Sequence, residues 1–188
     1  MKKKYLKNLM VIIVVVLIVL SARTDSVLAA AKIAASNVAA AGENSLVLIS
    51  QEGSESTEYP TRKEIKKMLG YDAKTVEKFK NGFIFDQCII TTVETYKGKE
   101  KDGSYKQLML TYEKDKSKIQ LFICKKPANE KEEEGTALTY KKIELRYVEE
   151  YHTLLWKDND VNYSILAEDK KLTKDTLMKM AKEIIKKK

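Results

Sequence analysis

From residue 83 to residue 167, apolar and polar positions alternate in short runs, and a period of two predicts half-buried strands. Phe83–Tyr96, Ser104–Tyr112 and Lys118–Lys125 read as three successive strands, with turns at Gly98–Gly103 and Glu113–Ser117. Ala137–Val148 reads as a fourth, with Ile143, Leu145 and Tyr147 on one face. Glu149-Glu150 makes a tight turn and Tyr151–Trp156 returns as a fifth. After the polar turn Lys157-Asp158-Asn159-Asp160, Val161, Tyr163 and Ile165 alternate with Asn162 and Ser164 in a sixth strand, Val161–Ala167.

The period lengthens at both ends of this run. Thr61-Arg62-Lys63-Glu64 is a capping box, Ile65, Met68 and Leu69 form one apolar edge, and Gly70 is a stop, which predicts a two-turn helix. Tyr71–Lys80 reads equally as a helical turn (Val76, Phe79) or an extended lead-in, closed by the Asn81-Gly82 turn. Near the C-terminus, Thr173 is an N-cap, and Leu172 is placed to staple onto Leu177. Leu177, Met180, Ala181, Ile184 and Ile185 fall at i, i+3, i+4, i+7 and i+8, one continuous apolar stripe. Its nearest apolar partner is the sheet face bearing Trp156 and Tyr163. The expected architecture is α+β: a curved antiparallel sheet of about six strands in meander order, with a short N-terminal helix and a longer C-terminal amphipathic helix packed on it.

The N-terminal third has a different character. Lys2, Lys3, Lys4 and Lys7 precede an unbroken apolar run of 12 residues, Leu9–Leu20, and Ser26-Val27-Leu28-Ala29 offers small residues for cleavage. This is the pattern of a secretory signal peptide over residues 1–29, with retention as an anchor the alternative. The run falls short of the ~20 residues that span a bilayer. Residues 30–58, rich in Ala, Ser and Glu, read as a flexible tether; Leu46-Val47-Leu48-Ile49 within it is either an edge strand or an apolar piece of that tether. A single α+β domain is expected over 59–188. The expected location is the outer face of the cell envelope or the medium.

That segmentation changes the charge. The whole chain carries +8, but residues 1–29 hold five basic residues and one acidic, leaving about +4 from 30 basic and 26 acidic residues. Such a mixed surface is no nucleic-acid footprint. A mild basic excess could favour anionic envelope polymers or lipid headgroups, but a solvated surface kept soluble by its charge is the expected reading.

Candidate chemistry is sparse. His152 is the single histidine, which argues against zinc and against a Ser/His/Asp triad. Asp158-Asn159-Asp160-Val161-Asn162 opens like a calcium loop, but the sixth position is Tyr163 where Gly is needed, and the apolar alternation competes with it. Cys88 and Cys124 lie in strand-like runs; in a meander another strand separates them, so two buried free thiols are expected over a bridge. No enzyme activity, cofactor or metal is expected. Tyrosines are abundant, and Trp156, Tyr163 and Tyr147 are candidate groove residues; Trp156, Tyr163, Leu177, Met180, Ala181 and Ile184 are the expected determinants of the fold.

Trp156, the Asp158–Asp160 turn, Tyr163, Leu172-Thr173, Leu177, Met180-Ala181 and Ile184-Ile185 together resemble the C-terminal signature of a domain-of-unknown-function family. Its members are secreted and membrane-anchored proteins of Gram-positive, especially clostridial, bacteria. Leu69-Gly70-Tyr71 and Phe79–Phe85 are similar to the start of such domains, so the resemblance covers roughly residues 60–186. It implies the curved antiparallel sheet of the lipoprotein-carrier superfamily (LolA-like and RseB-like proteins) and a non-enzymatic envelope domain, sometimes found on anti-sigma factors. No cytoplasmic domain of that kind is expected in this chain, and the resemblance brings no catalytic residues. The expected function is a secreted or envelope binding module without catalysis, its partner an envelope protein, a lipid or an anionic polymer. The alternative is a carrier or sensor holding a lipid or other apolar ligand between the sheet and the C-terminal helix. Membrane association is expected through the N-terminal segment alone.

Overall fold

The computed structural model describes residues 46–51, 55–97, 100–125 and 135–187. The expected signal peptide and most of the expected tether lie outside these residues. Strands β1 (Leu46–Gln51), β2 (Glu55–Ser56), β3 (Ile84–Lys97), β4 (Glu100–Lys114) and β5 (Ser117–Cys124) come first. They are followed by β6 (Thr136–Tyr140), β7 (Ile143–Val148), β8 (Thr153–Asp158) and β9 (Val161–Ala167), with helices α1 (Arg62–Leu69) and α2 (Lys174–Ile185). The described residues cluster into two units. One takes β1 with residues 92–97 and 100–105; the other takes residues 55–91 and 106–187. In the first, β1 pairs antiparallel with the far half of β3, Leu46 opposite Lys97 and Gln51 opposite Thr92.

In the second unit the strand order is β3-β4-β5-β9-β8-β7-β6, with the two-residue β2 on the outer edge of β3. This corrects the expected six-strand meander in number and in order. Among the described residues this unit's sheet numbers eight strands, β2 included. The predicted single strand Ala137–Val148 is a hairpin, folded at Lys141-Lys142, with Tyr140 opposite Ile143. β6 is not beside β5; β9 is, with Ile119 opposite Ala167 and Ile123 opposite Tyr163. Two local meanders, β3-β4-β5 and β6-β7-β8-β9, are thus joined through β5 and β9. The physical reason lies in composition. β5 and β9 carry Ile119, Leu121, Ile123, Val161, Tyr163 and Ile165, all 0–3% exposed. Pairing them puts the most apolar strands at the centre, where a meander would leave β9 as an edge.

Register places one core face across β4, β5, β9, β8 and β7. Leu108, Leu110 and Tyr112 oppose Ile123, Leu121 and Ile119; these oppose Tyr163, Ile165 and Ala167; Leu154 and Trp156 continue the rows into Leu145 and Tyr147. Both helices bury their apolar sides in this one cluster, Ile65 and Leu69 from α1 and Leu177, Met180, Ala181, Ile184 and Ile185 from α2. Burying a side chain of this size contributes about 1.5–3 kcal/mol.

Local signals set the helix ends. Thr61 N–H donates to Glu64 Oε2 at 2.8 Å and Glu64 N–H returns to Thr61 Oγ1 at 3.3 Å, a closed capping box. Gly70, at φ +83°, ends α1 in the left-handed conformation that glycine adopts without strain. Thr173 Oγ1 accepts from Thr176 N–H at 3.3 Å and starts α2. Residues 71–83 form no helix: an irregular run leads to a single bridge between Lys78 and Ile84 around a turn at Lys80–Gly82, held by the Tyr112 hydroxyl donating to Val76 O at 2.8 Å and by Phe79 N–H donating to Phe83 O at 2.8 Å. Cys88 and Cys124 are buried free thiols, with β4 between their strands.

Candidate functional site

The β8–β9 hairpin turns at Asn159-Asp160, both left-handed, at φ +48° and +64°. Asn and Asp tolerate that region better than other side chains. The turn sets Trp156 opposite Tyr163, and their rings stack with centroids 5.1 Å apart and planes 4° from parallel. Beyond the ring, the Tyr163 hydroxyl accepts from Lys74 N–H at 3.0 Å. It keeps its own hydrogen to donate. The Lys74 side chain turns the other way: its Nζ donates to Asp158 Oδ2 at 2.8 Å and to the Ile185 carbonyl at 3.4 Å. One lysine therefore ties the irregular segment after α1 to the hairpin turn and to the C-terminal end of α2, where a cation also complements the helix dipole.

These groups surround a cleft of about 410 Å³, with Tyr59, Arg62, Lys74, Asp158, Tyr163 and Lys187 among its lining. Most of its polar groups are held in pairs. The Tyr59 hydroxyl and Thr75 Oγ1 lie 2.6 Å apart, and Tyr59 meets Phe85 edge-on at 5.3 Å. Asp72 accepts from Lys66 Nζ at 3.1 Å and from Arg62 Nε at 3.3 Å, and chiefly the Lys66 bond holds its carboxyl below the ordinary aspartate value. Burial pushes the Tyr163 phenol up to about 12, against the Lys74 N–H bond, which favours the ionised form. Three cations, Arg62, Lys74 and Lys187, face two carboxylates, Asp72 and Asp158. The arrangement can hold a small polar molecule by charge and hydrogen bond over an aromatic floor.

Of the three groove candidates, Tyr163 lines this cleft. Trp156 and Tyr147 are core residues, 4% and 8% exposed, and the indole N–H of Trp156 meets no acceptor within the described protein. Leu177, Met180, Ala181 and Ile184 pack in the core as the apolar stripe implies. His152 is not in a strand; it ends a 3₁₀ turn (Glu149–Tyr151) at φ +49°, its N–H bonded to Glu149 O at 3.2 Å. Asp158 faces Lys74, and Asp160 pairs with Lys157 at 3.3 Å. Among the described residues no cluster of three or more His, Cys, Asp or Glu side chains is placed to hold a metal ion, and no helix is long and apolar enough to cross a membrane.

Sequence reasoning missed Lys74, Arg62 and Lys187. Each reads as an ordinary surface charge, and no periodic signal joins Lys74 to Asp158 across a sequence separation of 84. Comparison with protein-family models, with curated proteins and with solved structures gives no match.

Proposed function

We propose that this chain is a non-catalytic binding module of the outer cell envelope, secreted or tethered, which takes a small ligand bearing an anionic group in the cleft over Tyr163. The observation that carries the reading is the cleft's charge arrangement: Arg62, Lys74 and Lys187 at its wall, with two carboxylates to orient any cationic portion of the ligand. Pairing of its lining groups pre-organises the cleft, which lowers the ordering cost of binding. The envelope location rests on the lysine-led apolar run Leu9–Leu20 and the small residues at Ser26–Ala29. The likeness of the Trp156–Ile185 signature to secreted Gram-positive domains favours the same reading. The alternative, an apolar-ligand carrier between sheet and α2, would require opening a layer whose members Leu177, Met180, Ala181 and Ile184 are each 0–1% exposed.

The test is thermal-shift and calorimetric titration of the purified chain with glutamate, phosphoserine, glycerol phosphate and a matched neutral sugar. Saturable binding of an anionic or zwitterionic compound, weakened at least tenfold by Lys187→Glu, supports the reading. Binding of the neutral sugar alone, or anion binding indifferent to Lys187→Glu, sinks it.

A further inference from the structure

The outer side of α2 carries a concentration of like charge that no part of the cleft uses. Lys182 and Lys186 are one turn apart there, and the β6–β7 turn brings in Lys141 and Lys142. The Nζ atoms of Lys182, Lys141 and Lys186 lie 5.2, 5.8 and 6.0 Å from the centre of one ring, that of Tyr140. Each is within cation–π range, but three ammonium groups around one ring repel one another. Among the described residues no carboxylate forms an ion pair with Lys141, Lys142, Lys182 or Lys186. Lys66, Lys74, Lys118 and Lys157 each have one.

The turn itself is a second and independent sign. Lys141 and Lys142 have φ of +48° and +66°. A two-residue turn with both central positions left-handed favours Asn-Gly, and two lysines there are strained. Such strain persists where the surroundings impose it, and it gathers at functional positions. Here it keeps two charges at the tip of the hairpin, beside the Tyr140–Ile143 pair, both half-buried and still showing apolar surface.

We propose that the β6–β7 turn and the outer edge of α2 form a peripheral docking surface for an anionic phospholipid bilayer. A soluble polyanion would need the charge alone. A partly exposed tyrosine and an aliphatic side chain set among unneutralised lysines match a bilayer interface, where aromatic rings sit at headgroup depth and lysines reach the phosphates. On the envelope location proposed above, the lysine-led apolar run Leu9–Leu20 also brings the chain to a membrane. This surface uses none of the residues that line the cleft over Tyr163, so either site stands without the other.

Lysine acetylation footprinting of the full chain on vesicles tests it. One set contains phosphatidylcholine alone, the other one-third phosphatidylglycerol; the N-terminal apolar run is present with both and cancels. Each lysine near an anionic surface strengthens association roughly fivefold. Acetylation of Lys182 and Lys186 is therefore expected to slow at least about fivefold on the anionic vesicles, with protection lost at high salt. The double variant Lys141→Asn/Lys142→Gly relieves the turn, so it folds, and it should abolish that protection; the control Lys63→Glu/Lys116→Glu should retain it. Equal labelling on both vesicle types overturns the proposal. So does protection unchanged in the Asn-Gly variant, or protection by soluble poly(glycerol phosphate) with none on anionic vesicles.

Discussion

Lys74 and Asp158 form a 2.8 Å ion pair across 84 residues of chain, with side chains 31% and 11% exposed. An exposed pair contributes little, because water solvates both partners as well as they solvate each other. Here Asp158 is mostly withdrawn from water, so removing its partner or its charge leaves a poorly solvated group behind. Asp158→Ala is expected to cost about 1.5–3 kcal/mol, read as a lower denaturant midpoint at unchanged slope. Lys157→Ala, which breaks the outer pair with Asp160 at side-chain exposures of 60% and 82%, should shift the midpoint by less than about 1 kcal/mol. Equal effects of the two would mean that burial does not set the strength of the inner pair.

Stability should fall at alkaline pH. Burial raises the Tyr163 phenol from its ordinary 10 to about 12, and burial also raises Tyr112 and Tyr71. A raised folded-state value means that the unfolded chain releases its phenolic proton first. The stability contribution is therefore complete below pH 10 and is lost as pH rises toward 12. A shift of that size corresponds to about 3 kcal/mol for Tyr163 alone. Tyrosinate absorbance should rise in two phases, the second coincident with loss of near-ultraviolet circular dichroism. Tyr163→Phe should flatten the alkaline limb while lowering stability near neutrality, since the Lys74 N–H loses its acceptor. A single phase centred near 10 would exclude the raised value.

The Lys141-Lys142 turn makes the opposite kind of prediction. Replacement by Asn-Gly should stabilise the fold by about 1–2 kcal/mol, because the left-handed conformation costs a lysine roughly 1 kcal/mol at each of the two positions, and asparagine and glycine tolerate it better. Thermal unfolding of the double variant measures this. A lower melting temperature would show that the lysines' contacts with Tyr140 outweigh the backbone strain.

Gly135 precedes β6, and a methyl group added there would come within 2.8 Å of the Tyr147 carbonyl oxygen. That neighbour is backbone and cannot swing aside. Gly135→Ala should loosen the start of β6, seen as faster amide exchange at Leu138 and Tyr140, while Leu177→Ala should cost the whole fold about 2–5 kcal/mol.

The helices were legible because their determinants are local. The Thr61–Glu64 box, Gly70, Thr173 and the Leu177–Ile185 stripe each occupy a few consecutive turns of chain, and each is found in place. The hairpin inside Ala137–Val148 was missed: Tyr140-Lys141-Lys142-Ile143 contains none of the glycine or asparagine that marks such a turn, and its one signal is a slip in the alternation, Tyr140 and Ile143 standing three apart where the rest of the run keeps a spacing of two. Strand order was hidden for a different reason. The pattern of Val161–Ala167 says which side chains point inward, and it reads the same at an edge or at the centre. In the site, Tyr163 stood out as an inward aromatic. Its partners Lys74 and Asp158 did not, because a charge that ends up paired looks in sequence like any solvated one.

The seam between β5 and β9 also makes the molecule divisible. Cutting the chain in the connection 126–134 would yield two pieces, each with one half of this apolar strand pair at the edge of its part of the sheet, from Ile119–Ala167 to Cys124–Asn162. Each piece would expose a matching edge and a half-built core, so the two are complementary only to one another. Co-expressed as separate polypeptides, they should find each other and restore the fold, making this connection the natural place to split the protein into a reporter of association.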